Sequence, residues 1–185
     1  VGVGMAGDDR AGTRAALERS LEGADAVIVS GGVSVGEHDH VRPALESLGA
    51  EQVFWGVSLR PGKPTYFGVA PEGQLVFGLP GNPVSAMVTF VLFARPAILA
   101  MQGAHPDATR VTARFDRDYE KVEGRAEAIR VRLSAGDDGW IATPTGPQGS
   151  HVLTSMLGAD GLAFAPTDAM VVRAGEPIGV ELLRR

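Results

Sequence analysis

The chain has 185 residues, room for one to two compact units, and its 44% hydrophobic and 21% charged residues supply enough apolar material to exclude a disordered tail. Seventeen Lys and Arg against 22 Asp and Glu leave a net charge of -5, which argues against a sequence-independent hold on nucleic acid, so an anionic ligand has to be gathered by a local cluster of cations. Cysteine is absent, which excludes disulfides, thiolate metal sites and a cysteine nucleophile, and a cytoplasmic location is the default expectation.

In chain order, residues 1–5 (VGVGM) read as a small-residue strand already in progress. With neither an initiator Met nor a signal-peptide pattern, the chain is expected to be a piece of a longer protein. Ala16, Leu17 and Leu21 at helical spacing predict a helix over 9–21, with Asp8 or Asp9 as its cap and Gly23 as its stop. ADAVIVS (24–30) reads as a parallel strand buried on both faces, followed by the turn SGGVSVGEHD. Val41, Ala44, Leu45 and Leu48 predict a second helix, capped by Asp39 and ended by Gly49, and VFWGVSL (53–59) predicts one further strand.

Residues 66–69 and 75–77, separated by APEG, predict an antiparallel hairpin on the same sheet, which is then mixed. Asn82 and Pro83 open a long apolar helix to about residue 101, kinked at Pro96. Its unbroken apolar stretch, 86–94, falls far short of the roughly 18 to 20 residues that span a bilayer, so no membrane association is expected. Beyond it VTARF, AIRVRL, WIATPT, LAFAP and IGVELL alternate without a helical period. A boundary near 104–109 therefore divides an α/β unit from a small all-β, barrel-like unit.

Loops after parallel strands face the carboxyl edge of the sheet, where open α/β folds bind ligands. In Ser30-Gly31-Gly32-Val33-Ser34-Val35-Gly36 the glycines permit close backbone approach and the hydroxyls can donate to phosphate oxygens, although a tight strand-to-helix turn explains the glycines equally well. Arg60-Pro61-Gly62-Lys63-Pro64 sets two cations on a proline-stiffened backbone suited to an oxyanion, and Gly78-Leu79-Pro80-Gly81-Asn82-Pro83 leads into a helix N-terminus. Asp8, Asp9, Glu37 and Asp39 are carboxylates near strand ends that could hold Mg²⁺, while helix capping accounts for Asp9 and Asp39 equally. His38, His40, His105 and His151 lack metal-ligand spacing and read as surface histidines. Arg125, Arg130 and Arg132, with Gly146-Pro147-Gln148-Gly149-Ser150-His151, supply cations and a hydroxyl in the second unit, with solvated strand arginines as the plainer reading.

SGGVSVGEHD, PGKP, GLPGNPVSA and GPQGSH, in this order and across essentially the whole chain, resemble the molybdopterin molybdenumtransferases, the family of MoeA and the gephyrin E-domain. The resemblance implies a three-layer α/β, MogA-like molybdopterin-binding domain over 1–104, lacking its first strand and helix, and a C-terminal β-barrel domain over 109–185. It implies Mg²⁺-dependent insertion of molybdate into adenylylated molybdopterin, with release of AMP, by a longer cytoplasmic parent that works as a homodimer. Under it, Asp8 and Asp39 take the catalytic and Mg²⁺ positions, Glu37 is a third metal candidate, and Lys63 is catalytic. Ser30, Gly31, Gly32, Ser34, Gly36, Arg60, Pro64, Pro80, Gly81, Asn82, Pro83, Arg130 and Ser150 fall to the molybdopterin and molybdate contacts. Arg60 stands where relatives often carry Lys. The family's N-terminal domains and its T-G-D-E-type motif are missing here, so the chain alone is expected to fold, to bind weakly and not to insert molybdenum. A gephyrin-like peptide-binding scaffold and a MogA-like binding or adenylylating module are the alternatives. The intact loops favour the enzyme over the first, and residues 109–185 favour it over the second.

Overall fold

The computed structural model describes residues 1–7, 9–34, 36 and 39–183. The chain divides into two compact units, Val1–Val57 with Gly62–Ala94, and Ser58–Pro61 with Arg95–Arg185. In the first, Asp9 caps α1 (Arg10–Leu21), its carboxylate accepting the Gly12 N–H at 2.8 Å. Strands β1 (Ala26–Ser30), β2 (Glu51–Trp55), β4 (Tyr66–Val69) and β5 (Leu75–Leu79) form one mixed sheet in the order β1-β5-β4-β2. The β1 and β5 strands run parallel, with Ser30 opposite Leu79, and β4 is antiparallel to both β5 and β2. The carboxyl ends of β1, β2 and β5 and the amino end of β4 therefore share one sheet edge.

Leu17 of α1, Val41, Ala44 and Leu45 of α2 (Val41–Ser47), and Val27, Tyr66 and Val76 of the sheet build the core on one face. Each of these buried Val and Leu side chains contributes about 1.5–3 kcal/mol. On the opposite face the rings form a chain: Phe77 stacks on Phe67, Phe67 meets Phe54, and Phe54 meets Phe93, with ring centroids 4.9–5.9 Å apart. The sheet thus has helical residues on both faces, as a three-layer α/β unit requires.

In the second unit β6 (Arg110–Phe115), β8 (Ala126–Gly136), β9 (Gly139–Pro144), β10 (Gly161–Ala165) and β12 (Pro177–Leu182) close a ring, β10-β12-β6-β9-β8, shut by the β8–β10 pairing. Its pairings are antiparallel except β6 with β9. Closure removes the sheet edges, and Ala113, Phe115, Ile129, Val131, Ala163 and Val180 fill the inside. Strand β3 (Leu59–Arg60) adds in parallel to β8, β7 (Tyr119–Glu120) pairs β11 (Val171–Val172), and α5 spans Thr154–Leu157.

Several elements depart from the sequence expectations. Residues 1–5 form no strand, and Val1, Val3 and Met5 are exposed. The 24–30 strand is not buried on both faces: among the described residues β1 pairs only β5, and Ile28 stays 41% exposed at the end of the sheet. VFWGVSL breaks in two at Gly56 (φ 83), and Leu59 and Arg60 pair in the second unit. Asp39 does not cap α2. His40 holds the cap position without a side-chain cap hydrogen bond to the helix, while the Asp39 carboxylate accepts the Gly36 N–H at 2.6 Å and closes the preceding turn. The helix opened by Asn82 and Pro83 runs as α3 (Pro83–Thr89), a π-helical stretch Phe90–Ala94, and α4 (Arg95–Met101). Pro96 cannot donate a backbone hydrogen bond and its ring crowds the preceding turn, so the ladder widens before it and resumes with the proline in a first turn. The whole helical stretch Pro83–Met101 has 19 residues and is, by length and composition alone, long and apolar enough to cross a membrane, which the shorter run 86–94 did not indicate. The four-residue α5 was missed because one turn has no period to read.

The chain has two tyrosines, and burial lifts both hydroxyls, Tyr66 and Tyr119, above the ordinary 10.0. At Tyr119 the bond to Glu127 adds to this, and at Tyr66 the charge of Arg42 opposes it. The unfolded chain ionises at the lower value, so the stability held in the neutral hydroxyls is complete below pH 10.0 and is lost as pH rises through the folded values. An alkaline titration followed at 295 nm is expected to show tyrosinate only together with loss of the far-ultraviolet signal. Ordinary titration near 10.0 with the fold intact would contradict the burial of these groups.

Candidate functional site

The shared edge of the first sheet gathers the segments that carry the glycine, proline and lysine motifs. After β1 the backbone turns through Gly31 (φ 92) and Gly32 (φ 68), left-handed conformations that a side chain resists. A Cβ at Gly32 would also lie 2.9 Å from Val41 Cγ2, and the Gly32 carbonyl accepts the Val41 N–H at 3.1 Å, which seats α2 against the loop. Gly31 donates to the Leu79 carbonyl at 2.9 Å, and a Cβ at Gly81 would stand 3.3 Å from the Gly31 Cα. The loops after β1 and β5 therefore touch backbone to backbone. Ser30 Oγ donates to the Pro80 carbonyl at 3.4 Å across the same gap. Ser34 and Gly36 are exposed, Pro80 is buried, and Asn82 and Pro83 hold the cap and first positions of α3.

The PGKP segment is fixed by its backbone: Thr65 Oγ1 donates to the Gly62 carbonyl at 2.6 Å, Val57 N–H to the Lys63 carbonyl at 2.9 Å, and Gly56 N–H to the Thr65 carbonyl at 2.8 Å. Pro61 and Gly62 are buried, Pro64 is half-buried, and the Lys63 side chain is exposed, with no side-chain partner among the described residues. Two residues at this edge were not singled out in the sequence. Trp55 Nε1 donates to the Val33 carbonyl at 2.8 Å, tying the end of β2 to the glycine loop, and the Arg42 guanidinium lies 4.2 Å above the Trp55 ring. A tryptophan ending a strand beside a glycine loop was the available signal.

Asp8, Glu37 and His38 lie outside the described residues, and among the described residues no group of three or more His, Asp or Glu is placed to hold a metal ion. Asp39 is half-buried at the same edge, in the turn it closes with Gly36. A single carboxylate is a modest donor set, yet it fits Mg²⁺, which keeps several waters and takes one or two carboxylates plus substrate phosphates.

In the second unit Arg130 has no solvent exposure, so the solvated reading fails for it, while Arg125 and Arg132 are exposed. Its Nε donates to Ser155 Oγ at 3.2 Å and its Nη2 to the Gly149 carbonyl at 3.4 Å, while Gln148 brackets its backbone through bonds of 2.8 and 3.2 Å. Burial lowers its pKa. Thus Arg130 and GPQGSH do come together, with the guanidinium holding the segment rather than open to solvent. Ser150 is half-buried in that segment. Arg60, on β3, pairs at 3.8 Å with Glu127, which is buried on β8.

A mixed α/β sheet with glycine turns meeting at one edge, followed by a five-stranded closed barrel, defines a ligand-binding α/β unit joined to a barrel unit. Residues 1–100 match the family described as "probable molybdopterin binding domain", and residues 112–183 match the "MoeA C-terminal region (domain IV)". The chain belongs to this molybdopterin-binding family and carries the MoeA C-terminal region beside it. It is 34% identical over 184 residues to the molybdopterin molybdenumtransferase of Haemophilus influenzae, covering 98% of this chain and 45% of that protein. It is 36% identical over 178 residues to the molybdenum cofactor synthesis protein cinnamon of Drosophila melanogaster, covering 93% and 29%. The crystal structure of a molybdopterin biosynthesis MoeA protein from Pyrococcus horikoshii superposes with a TM-score of 0.81 at 32% identity, over 98% of this chain and 43% of that one. The chain thus spans under half the length of these relatives.

Proposed function

We propose that this chain supplies the molybdopterin-binding part, residues 1–104, and the C-terminal barrel part, residues 109–185, of a molybdopterin molybdenumtransferase. In that reaction adenylylated molybdopterin and molybdate give the molybdenum cofactor, the phosphoanhydride is cleaved and AMP leaves. The observation that carries the reading is the backbone contact between the loops after β1 and β5 at the edge that also bears the PGKP segment. In this reading the close-approaching backbone of the glycine loop and the exposed Ser34 hydroxyl meet phosphate oxygens, Ser30 holds that loop to Pro80, and Lys63 meets the molybdate dianion. Pro64, Pro80, Gly81, Asn82 and Pro83 shape the neighbouring wall. In the second unit Arg60 and Ser150 carry a cation and a hydroxyl suited to an anion, and Arg130 fixes the segment that bears Ser150. Asp39, with Asp8 and Glu37, would hold Mg²⁺, which supplies charge neutralisation at the phosphoanhydride. The parent protein works as a cytoplasmic homodimer. The match of residues 112–183 to the MoeA C-terminal region speaks against a module made of the α/β unit alone.

Calorimetric titration of the chain with molybdate tests this reading. Because Lys63 is exposed, Lys63→Ala is expected to weaken binding by about 1 kcal/mol, roughly fivefold, with no change in melting temperature. Unchanged affinity, or no molybdate binding by the unaltered chain, would count against it.

A further inference from the structure

We propose that Glu127 is the positioning residue of Arg60, fixing that guanidinium toward an oxyanion; the ligand half of this statement rests on the function proposed above. Glu127 lies on β8 beside the barrel core residues Ile129 and Val131, and only 1% of it is exposed. Its Oε1 accepts the Tyr119 hydroxyl at 2.8 Å. Its Oε2 is equally buried and accepts no hydrogen bond. Buried carboxylate oxygens are ordinarily supplied with donors and countercharge, because desolvation of the charge is otherwise uncompensated.

The cation paired with Oε2 is Arg60, whose Nη1 stands 3.8 Å away. The pairing is set by the sheet, since β3 and β8 run parallel with Arg60 opposite Glu127. Arg130, farther along β8, does not compete at hydrogen-bond distance, because its guanidinium is taken by Ser155 and the Gly149 carbonyl. The Arg60 side chain is 44% exposed, and Glu127 is its one side-chain partner among the described residues. A guanidinium is a rigid planar fork with five donors, so anchoring one edge on a buried carboxylate orients the rest. A lysine ammonium at the same place would be held by a point contact and would leave no oriented edge, which gives the arginine at this position a physical reason.

The test uses the 185-residue chain labelled with ¹⁵N at arginine and reads the Arg60 Nε–Hε signal, assigned by its loss in Arg60→Lys. An ordered, dispersed signal is expected without any added anion. A rapidly averaging one overturns the proposal even should Glu127→Gln fail to fold. In Glu127→Gln the signal is expected to become mobile, whereas Tyr119→Phe, which leaves the charge in place, keeps it ordered. In parallel, Glu127→Gln is expected to weaken molybdate binding about fivefold, and less than twofold when Arg60 is already Ala. Equal losses in both backgrounds overturn the proposal, because the role would then be structural. An ordered Arg60 signal in a chain that binds no molybdate overturns the ligand half and the proposed function together, and leaves the Glu127 anchor established.

Discussion

Arg130→Ala is expected to destabilise the barrel unit by about 4 kcal/mol, and Arg130→Met by about half as much. The alanine variant empties a site with no solvent exposure, so the lining of the cavity loses its contacts. It also strips a donor from Ser155 Oγ and from the Gly149 carbonyl, and removes a positive charge that interacts with Glu127. Methionine restores most of the stem volume while leaving the polar losses, and relief of the buried guanidinium's desolvation offsets part of them. Chemical denaturation followed by Trp140 fluorescence, with Trp55 replaced by Phe, reads the barrel alone, since the chain has two tryptophans, one in each unit. An alanine variant within about 1 kcal/mol of the parent would show that Arg130 is neither packed nor bonded as described.

Gly78→Ala is expected to cost about 2–3 kcal/mol and to weaken molybdate binding at the same time. The new Cβ would lie 2.6 Å from Val33 Cγ1 and 3.0 Å from Tyr66 Cβ. Neither neighbour has room to retreat, for Val33 is 1% and Tyr66 2% exposed, so the strain passes into the glycine loop that Val33 anchors. Gly179, on β12, is the matched control: nothing lies within 4 Å of its Cβ position, and Gly179→Ala should leave stability within about 0.5 kcal/mol. Equal melting temperatures for the two variants would rule out the close packing of Val33 on β5.

Where apolar periodicity and turn chemistry coincide, the elements could be read in advance: α1 with an aspartate cap left open between Asp8 and Asp9, the body of α2 though not its cap, the hairpin of β4 and β5, and the alternating strands of the barrel. What escaped reading depends on partners remote in the chain. VFWGVSL looks continuous because its apolar pattern does not register that residues 53–55 pair with β4 while residues 59–60 pair with β8. ADAVIVS has the composition of a central strand, and composition carries no information about a missing neighbour on one side. In the site, the glycine, PGKP and GLPGNP loops were visible because glycine and proline act locally, and the structure brings them to one edge. The burial of Arg130 and of Glu127 was hidden, since EAIRVR reads as simple alternation until the 146–155 segment and the 58–61 segment cover its polar positions.

The barrel is not a continuous piece of chain, and this bears on the order in which it assembles during synthesis. Leu59 and Arg60 leave the ribosome far ahead of Ala126 and Glu127, the residues they pair with, and ahead of every strand of the ring. At about 5–20 residues per second, the first unit has seconds in which to fold while residues 58–61 still lack a partner strand. That unit therefore matures with an open, unpaired loop in its midst, closed only when β8 emerges. Translation pausing before residue 126 would prolong this half-finished state, and genetic excision of residues 95–185 as an independent module would leave Glu127 behind a wall from which its counter-ion had been cut away.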